Sequence, residues 1–140
     1  MPRPRRFHSA TSSCPSHRIA LLSTYAPKLC GLATFSAALA KELTRSGHAV
    51  AIIRVNDGDC APSTDPIVMA DLMNGRASSV AAAASAMSYY DLAVVQHEYG
   101  IFGGADGDEV LDLLQLIETP VVVVLHTVLT NPTTRQRAVL

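Results

Sequence analysis

Two short apolar runs constrain this chain most: Asp91-Leu92-Ala93-Val94-Val95 and Val121 to Leu125, each of which leads into a histidine. The first is too short for a helix and too apolar for an exposed loop, and both read as buried strands. The first delivers Gln96-His97-Glu98 to its carboxyl end and then turns away through Gly100, Gly103 and Gly104. The second delivers His126-Thr127. Ligands of open α/β sheets sit outside the carboxyl ends of the strands. Two consecutive strands ending in histidine therefore point to a polar cleft.

The rest of the chain extends this pattern. Ile19 to Tyr25 reads as a first strand, stopped by Ala26-Pro27. Leu32, Phe35, Ala38, Leu39 and Leu43 recur near the helical period, and Gly47 is the expected stop. His48 to Val55 reads as a second strand, and Ile67-Val68-Met69 as a weak third. Helices are predicted over the alanine-rich stretch Arg76 to Met87, over Asp106 to Ile117, and again from Asn131-Pro132-Thr133. Strand and helix alternate, which predicts an α/β fold: a Rossmann-like parallel sheet with helices on both faces and right-handed crossovers. The expected strand order is 3-2-1-4-5, with the order reversing between the first and fourth strands. That switch point brings the loop at residues 26–32 beside the loop at residues 97–104.

The 140 residues suit one domain, expected over residues 18–140 and incomplete at its C-terminus, since Leu140 falls about one turn into the last helix. Residues 1–17, with Arg3, Arg5 and Arg6, read as a disordered arm or a misplaced start codon, with a transit peptide as the alternative. A net charge of −1 argues against a nucleic-acid partner. No apolar run approaches the roughly 20 residues needed to span a bilayer, so stable membrane insertion is not expected. Cys14, Cys30 and Cys60 lack metal-ligand spacing and read as free thiols of a reducing cytoplasm.

Several residues have chemistry to offer. Lys28-Leu29-Cys30-Gly31 opens a helix, where backbone N–H groups attract anions and glycine lets a phosphate or sugar approach. A plain helix entry needing a flexible residue explains it equally simply. His97-Glu98 suits a general base pair or an anchor for an acceptor hydroxyl, against a strand-end histidine beside a solvated glutamate. A metal is not expected, because a lone His-Glu lacks the i, i+4 spacing that converges on zinc. Gly103 and Gly104 allow close approach to a ligand or merely tight turns. His126-Thr127 serves a ligand or a neighbouring loop. No G-x-G-x-x-G follows the first strand, which disfavours a dinucleotide site.

Taken together, Thr24-Tyr25-Ala26-Pro27-Lys28-Leu29-Cys30-Gly31-Leu32-Ala33-Thr34-Phe35 is similar to the first glycine loop of a subgroup of family 4 retaining glycosyltransferases. Gln96 to Gly104 resembles that subgroup's acceptor-side motif, as does Leu125-His126-Thr127-Val128-Leu129 with Pro132 and Gln136-Arg137 behind it. The resemblance implies the N-terminal half of a GT-B fold. It implies an enzyme moving a sugar from a nucleotide diphospho-sugar to an acceptor hydroxyl with retention and without cofactor or bound metal. Cys30, Gly31 and Leu32 would form the donor phosphate loop, and His97 would stand near the anomeric carbon as the catalytic residue. Glu98, Gly103, Gly104, His126 and Thr127 would face a carbohydrate acceptor.

Ala26 and Leu29 depart from the family's more usual proline and basic residue, which weakens the loop's electrostatics. The family's donor-binding residues belong to a C-terminal domain that this chain lacks, so the chain alone is expected to be inactive. The alternative is a non-catalytic sugar- or nucleotide-binding remnant acting with a separate partner. A third reading is a hydrolase using His97 and Glu98 with water.

Overall fold

The computed structural model describes residues 15–140, so the first fourteen residues of the expected arm lie outside the described residues. The elements run β1 (Arg18–Ser23), α1 (Gly31–Arg45), β2 (Ala49–Asn56), β3 (Val68–Met73), α2 (Ala77–Met87), β4 (Leu92–His97), α3 (Glu109–Leu116), β5 (Val121–Leu125) and α4 (Thr134–Val139). All strand pairs are parallel, in the order β3-β2-β1-β4-β5. β1 and β4 are therefore neighbours, and the chain reverses its progress across the sheet between them. The exception to helix-linked strands is the β2–β3 connection, a loop over residues 57–67. Ser16 and His17 are tied to the entry of β2: the Ser16 hydroxyl donates to the Gly47 carbonyl at 2.7 Å and Ala49 N–H to the His17 carbonyl at 2.9 Å.

Successive strand residues point to opposite faces, which produces two cores. Ala20, Leu22, Ile53, Val55, Ala93 and Val95 pack in one cluster with Val80 and Met87 of α2 and Val110 and Leu113 of α3. Leu21 and Ile52 point the other way and cluster with Ala40 of α1 and with Tyr25. Burying one such aliphatic side chain is worth about 1.5–3 kcal/mol over leaving it exposed.

Three expectations change in the structure. β3 is a full strand reaching Met73, because Asp71, a poor strand residue on its own, is held by Arg54: two hydrogen bonds of 2.7 and 2.6 Å join them. The predicted helix from Asp106 is broken. Asp106 and Gly107 adopt positive φ of 56° and 76°, so a short 3-10 turn precedes α3 at Glu109. β5 is not buried. Among the described residues it pairs only with β4, and Val122, Val123 and Leu125 remain 48%, 39% and 42% exposed.

Candidate functional site

The carboxyl ends of the strands carry a connected set of loops. Lys28, in the loop after β1, forms an ion pair with Asp57 after β2. Asn74, after β3, donates from Nδ2 to Asp57 Oδ1 at 2.6 Å and to the Ile101 carbonyl at 2.8 Å. The loop at residues 26–31 is thereby roped to the loop at residues 97–104 through Asp57 and Asn74. Sequence reasoning assigned neither residue a role, because an isolated Asp and Asn in turns are commonplace. The Lys28 bond holds the Asp57 carboxyl below its usual range, with Asn74 helping. Behind them Arg54, fully buried, donates to the Ala26 carbonyl at 3.3 Å and the Ala61 carbonyl at 2.9 Å, fixing both loops to β2.

At the start of α1, Ala33 N–H donates to Cys30 Sγ at 3.4 Å, and Thr24 Oγ1 lies 3.3 Å from the same sulfur. The neighbouring Ser23 hydroxyl accepts from Ser36 at 2.6 Å, so the hydroxyls at the end of β1 are satisfied locally. Leu32 is buried in the cluster that holds Ile101 and Phe102. Gly31 is different. A Cβ added there would meet nothing within 4 Å, and its backbone is not in the left-handed region. The fold itself does not require glycine, and the first turn of a 15-residue helix lies open above it.

Gly103 and Gly104 use their missing side chains on the protein itself. A Cβ at Gly103 would fall 2.5 Å from Glu109 Oε2, and one at Gly104 would collide with Asp108. Glu109 in turn accepts from Gly75 N–H at 3.0 Å. The hollow of about 430 Å³ between these loops and α2 is lined by Asp108, Glu109 and Asp112, a lining that repels a diphosphate.

His97 ends β4 with 1% of its surface exposed and, among the described residues, no hydrogen-bond partner on either ring nitrogen. Its ring stacks on Phe102, centroids 6.1 Å apart, and meets Tyr99 edge-on at 5.4 Å. Burial pushes its pKa below the ordinary value of about 6.5, and the half-buried Glu98 only partly offsets this, so the imidazole is neutral near pH 7. It borders a cavity of about 370 Å³ whose other walls are aliphatic: Val110 and Leu114 of α3, Val123 and Leu125 of β5, and Val139 of α4.

His126 takes the other face. Its Nε2 lies 2.5 Å from Oε1 of Gln96, the residue before His97, and its ring meets Phe35 of α1 edge-on at 5.1 Å. The register explains the separation: His97 pairs with Leu125, so residue 126 falls on the Gln96 side. The two histidines thus flank the ends of β4 and β5 from opposite faces. Thr127 beside it is half-buried and makes no side-chain hydrogen bond among the described residues. Gln96 and Phe35 lie within the two motifs read from the sequence, but neither was given a role of its own. Among the described residues no group of three or more His, Cys, Asp or Glu side chains converges as a metal site. No helix among them is long and apolar enough to cross a membrane.

No protein-family model matches the chain, and no curated protein matches it. Solved structures do. An alpha-glucosyltransferase in complex with UDP and a 13-mer DNA containing a HMU base superposes with a TM-score of 0.58 at 18% identity, covering 78% of this chain and 30% of that one. An alpha-glucosyltransferase in complex with UDP and a 13-mer DNA containing a central A:G mismatch gives 0.57 at 18% identity, covering 79% and 30%. The chain thus has the fold of a glycosyltransferase domain of the GT-B type and spans about 30% of the length of the structures it matches. One expectation is overturned here. Net charge was taken to exclude nucleic acid and to leave a carbohydrate acceptor, yet proteins of this fold are seen holding DNA together with UDP. A charge summed over a whole chain averages away local patches and excludes neither class of acceptor.

Proposed function

We propose that this chain is the acceptor-side domain of a retaining GT-B glycosyltransferase of the family 4 kind, moving a sugar from a nucleotide diphospho-sugar to an acceptor hydroxyl. The open first turn of α1 at Cys30, Gly31 and Leu32 receives the donor's phosphates, where unsatisfied N–H groups and the helix dipole favour the charge that grows on the leaving diphosphate. Glu98, His126 and Thr127 lie toward the acceptor. The donor is a substrate, and no resident cofactor enters the scheme. Donor-binding residues of the second domain complete the cleft, so this domain taken alone does not transfer sugar. Cys30 and Cys60, both free thiols among the described residues, suit the reducing cytoplasm as its compartment.

The observation that carries the proposal is His97: an imidazole buried at the carboxyl end of β4 beside the switch point, with both ring nitrogens unpartnered among the described residues. Buried polar groups left unpaired in a native fold call for an explanation, and a group that bonds only to the reacting sugar supplies one. In the intact enzyme, His97→Ala should lower transfer at least tenfold, about 1.4 kcal/mol of transition-state stabilisation. The thermal midpoint should stay within a few degrees, because two unpaired polar atoms leave with the ring. Unchanged transfer would remove His97 from the mechanism.

A further inference from the structure

Gln96 is fully buried near the carboxyl end of β4, between β1 and β5. Its Nε2 has no hydrogen-bond partner among the described residues, and an unpaired buried amide costs about 1–3 kcal/mol. What the side chain does make is the 2.5 Å contact from Oε1 to His126 Nε2. With the carboxamide oxygen, which only accepts, turned to the ring, the histidine carries its proton on Nε2. In the neutral ring Nδ1 is then the bare acceptor. His126 is exposed, its Nδ1 makes no hydrogen bond among the described residues, and Phe35 braces the ring from the first turns of α1. The backbone is held too, since His126 N–H donates to the His97 carbonyl at 2.9 Å.

We propose that Gln96 is a positioning residue that locks His126 in the Nε2–H tautomer, so that Nδ1 is offered as a hydrogen-bond acceptor to the proton of the attacking acceptor hydroxyl. The direction of that bond matters chemically: an accepting nitrogen aligns and polarises the O–H, whereas an N–H would occupy the lone pair that must form the new bond. The proposal rests on the placement of His126 on the acceptor side and adds the group that sets its polarity.

Nitrogen-15 shifts of the His126 ring in the purified chain at pH 8 test the lock without any activity. Wild type should show Nε2 protonated and Nδ1 bare, Gln96→Glu should keep that pattern, and Gln96→Met should redistribute the ring between both tautomers. A wild-type ring protonated on Nδ1 would overturn the lock outright, with no variant needed. So would a Gln96→Met ring identical to wild type. In the intact enzyme, Gln96→Met should lower kcat/KM for the acceptor about tenfold, leave the donor KM unchanged, and add nothing in a His126→Ala background. An equal loss in that background would make Gln96 a merely structural residue. Absence of any transfer by wild type would sink the glycosyltransferase assignment, and the nitrogen shifts would still decide the lock.

Discussion

β4 and β5 are near-twins in sequence and opposites in the molecule. Each is a short aliphatic run that leads into a histidine, yet β4 lies between β1 and β5, while β5 has a partner on one side only. Val95 is fully buried, whereas its register partner Val123 is 39% exposed. The histidines inherit the difference. His97 is buried, with its pKa pushed down by that burial, and unpartnered among the described residues; His126 is exposed and held by Gln96. Aliphatic composition decides that a segment becomes a strand, and its neighbours decide whether it is core. The chemistry available to a strand-end side chain follows from the second decision.

The sharpest way to break this comparison is to place the same charge in both strands. A carboxyl at Val95 would be buried in the apolar cluster and would have to take up a proton or stay charged there, a cost on the order of several kcal/mol against the roughly 5–15 kcal/mol that holds a domain together. Val95→Asp should abolish cooperative unfolding as followed by circular dichroism. Val123→Asp, at a half-open edge, should still unfold cooperatively with the midpoint lower by several degrees. If the two variants fail alike, β5 is covered in solution and the contrast collapses.

A smaller effect separates the histidines by pH. The folded pKa of His97 is depressed by burial below its ordinary value of about 6.5, so between those two values the unfolded chain binds the additional proton. Its contribution to stability is therefore complete above about pH 6.5 and is lost as pH falls from there toward the folded value. His97→Leu should remove that part of the acid slope, so the wild-type midpoint falls more than the variant's between pH 7.5 and pH 5. Parallel slopes for wild type and His97→Leu would show that the ring takes up its proton equally well in the folded state.

The strand order was legible because alternating strand and helix patterns admit few parallel topologies, and the loops they bring together could be named before any coordinate. What the sequence hid is what depends on neighbours. Val121 to Leu125 reads as core, because an apolar run says nothing about which side of it lacks a strand. β3 was read short because Asp71 argues against a strand until Arg54 is known to hold it. Gln96 stood in the acceptor-side motif without a role of its own, since only register against β5 sets it beside His126. The glycines were half legible. All of them signal turns, but the open space at Gly31 and the crowding at Gly103 and Gly104 are distinguished by their surroundings alone.

The gentlest probe of the two strands exchanges a methyl for a hydroxyl of nearly the same shape. Threonine keeps the β-branched side chain that a pleated strand favours, so backbone preference is held constant. At Val95 the new hydroxyl enters the apolar cluster beneath α2 and α3. An unsatisfied buried hydroxyl costs about 1–3 kcal/mol, so Val95→Thr should lower stability in denaturant titration by that amount. At Val123 the hydroxyl can turn to water, and the change should stay within about 0.5 kcal/mol, as for ordinary surface substitutions. The difference between these two small numbers measures what one additional neighbouring strand does for a side chain. It should vanish for the pair Val95 and Val123 only where something outside this chain has closed the β5 edge.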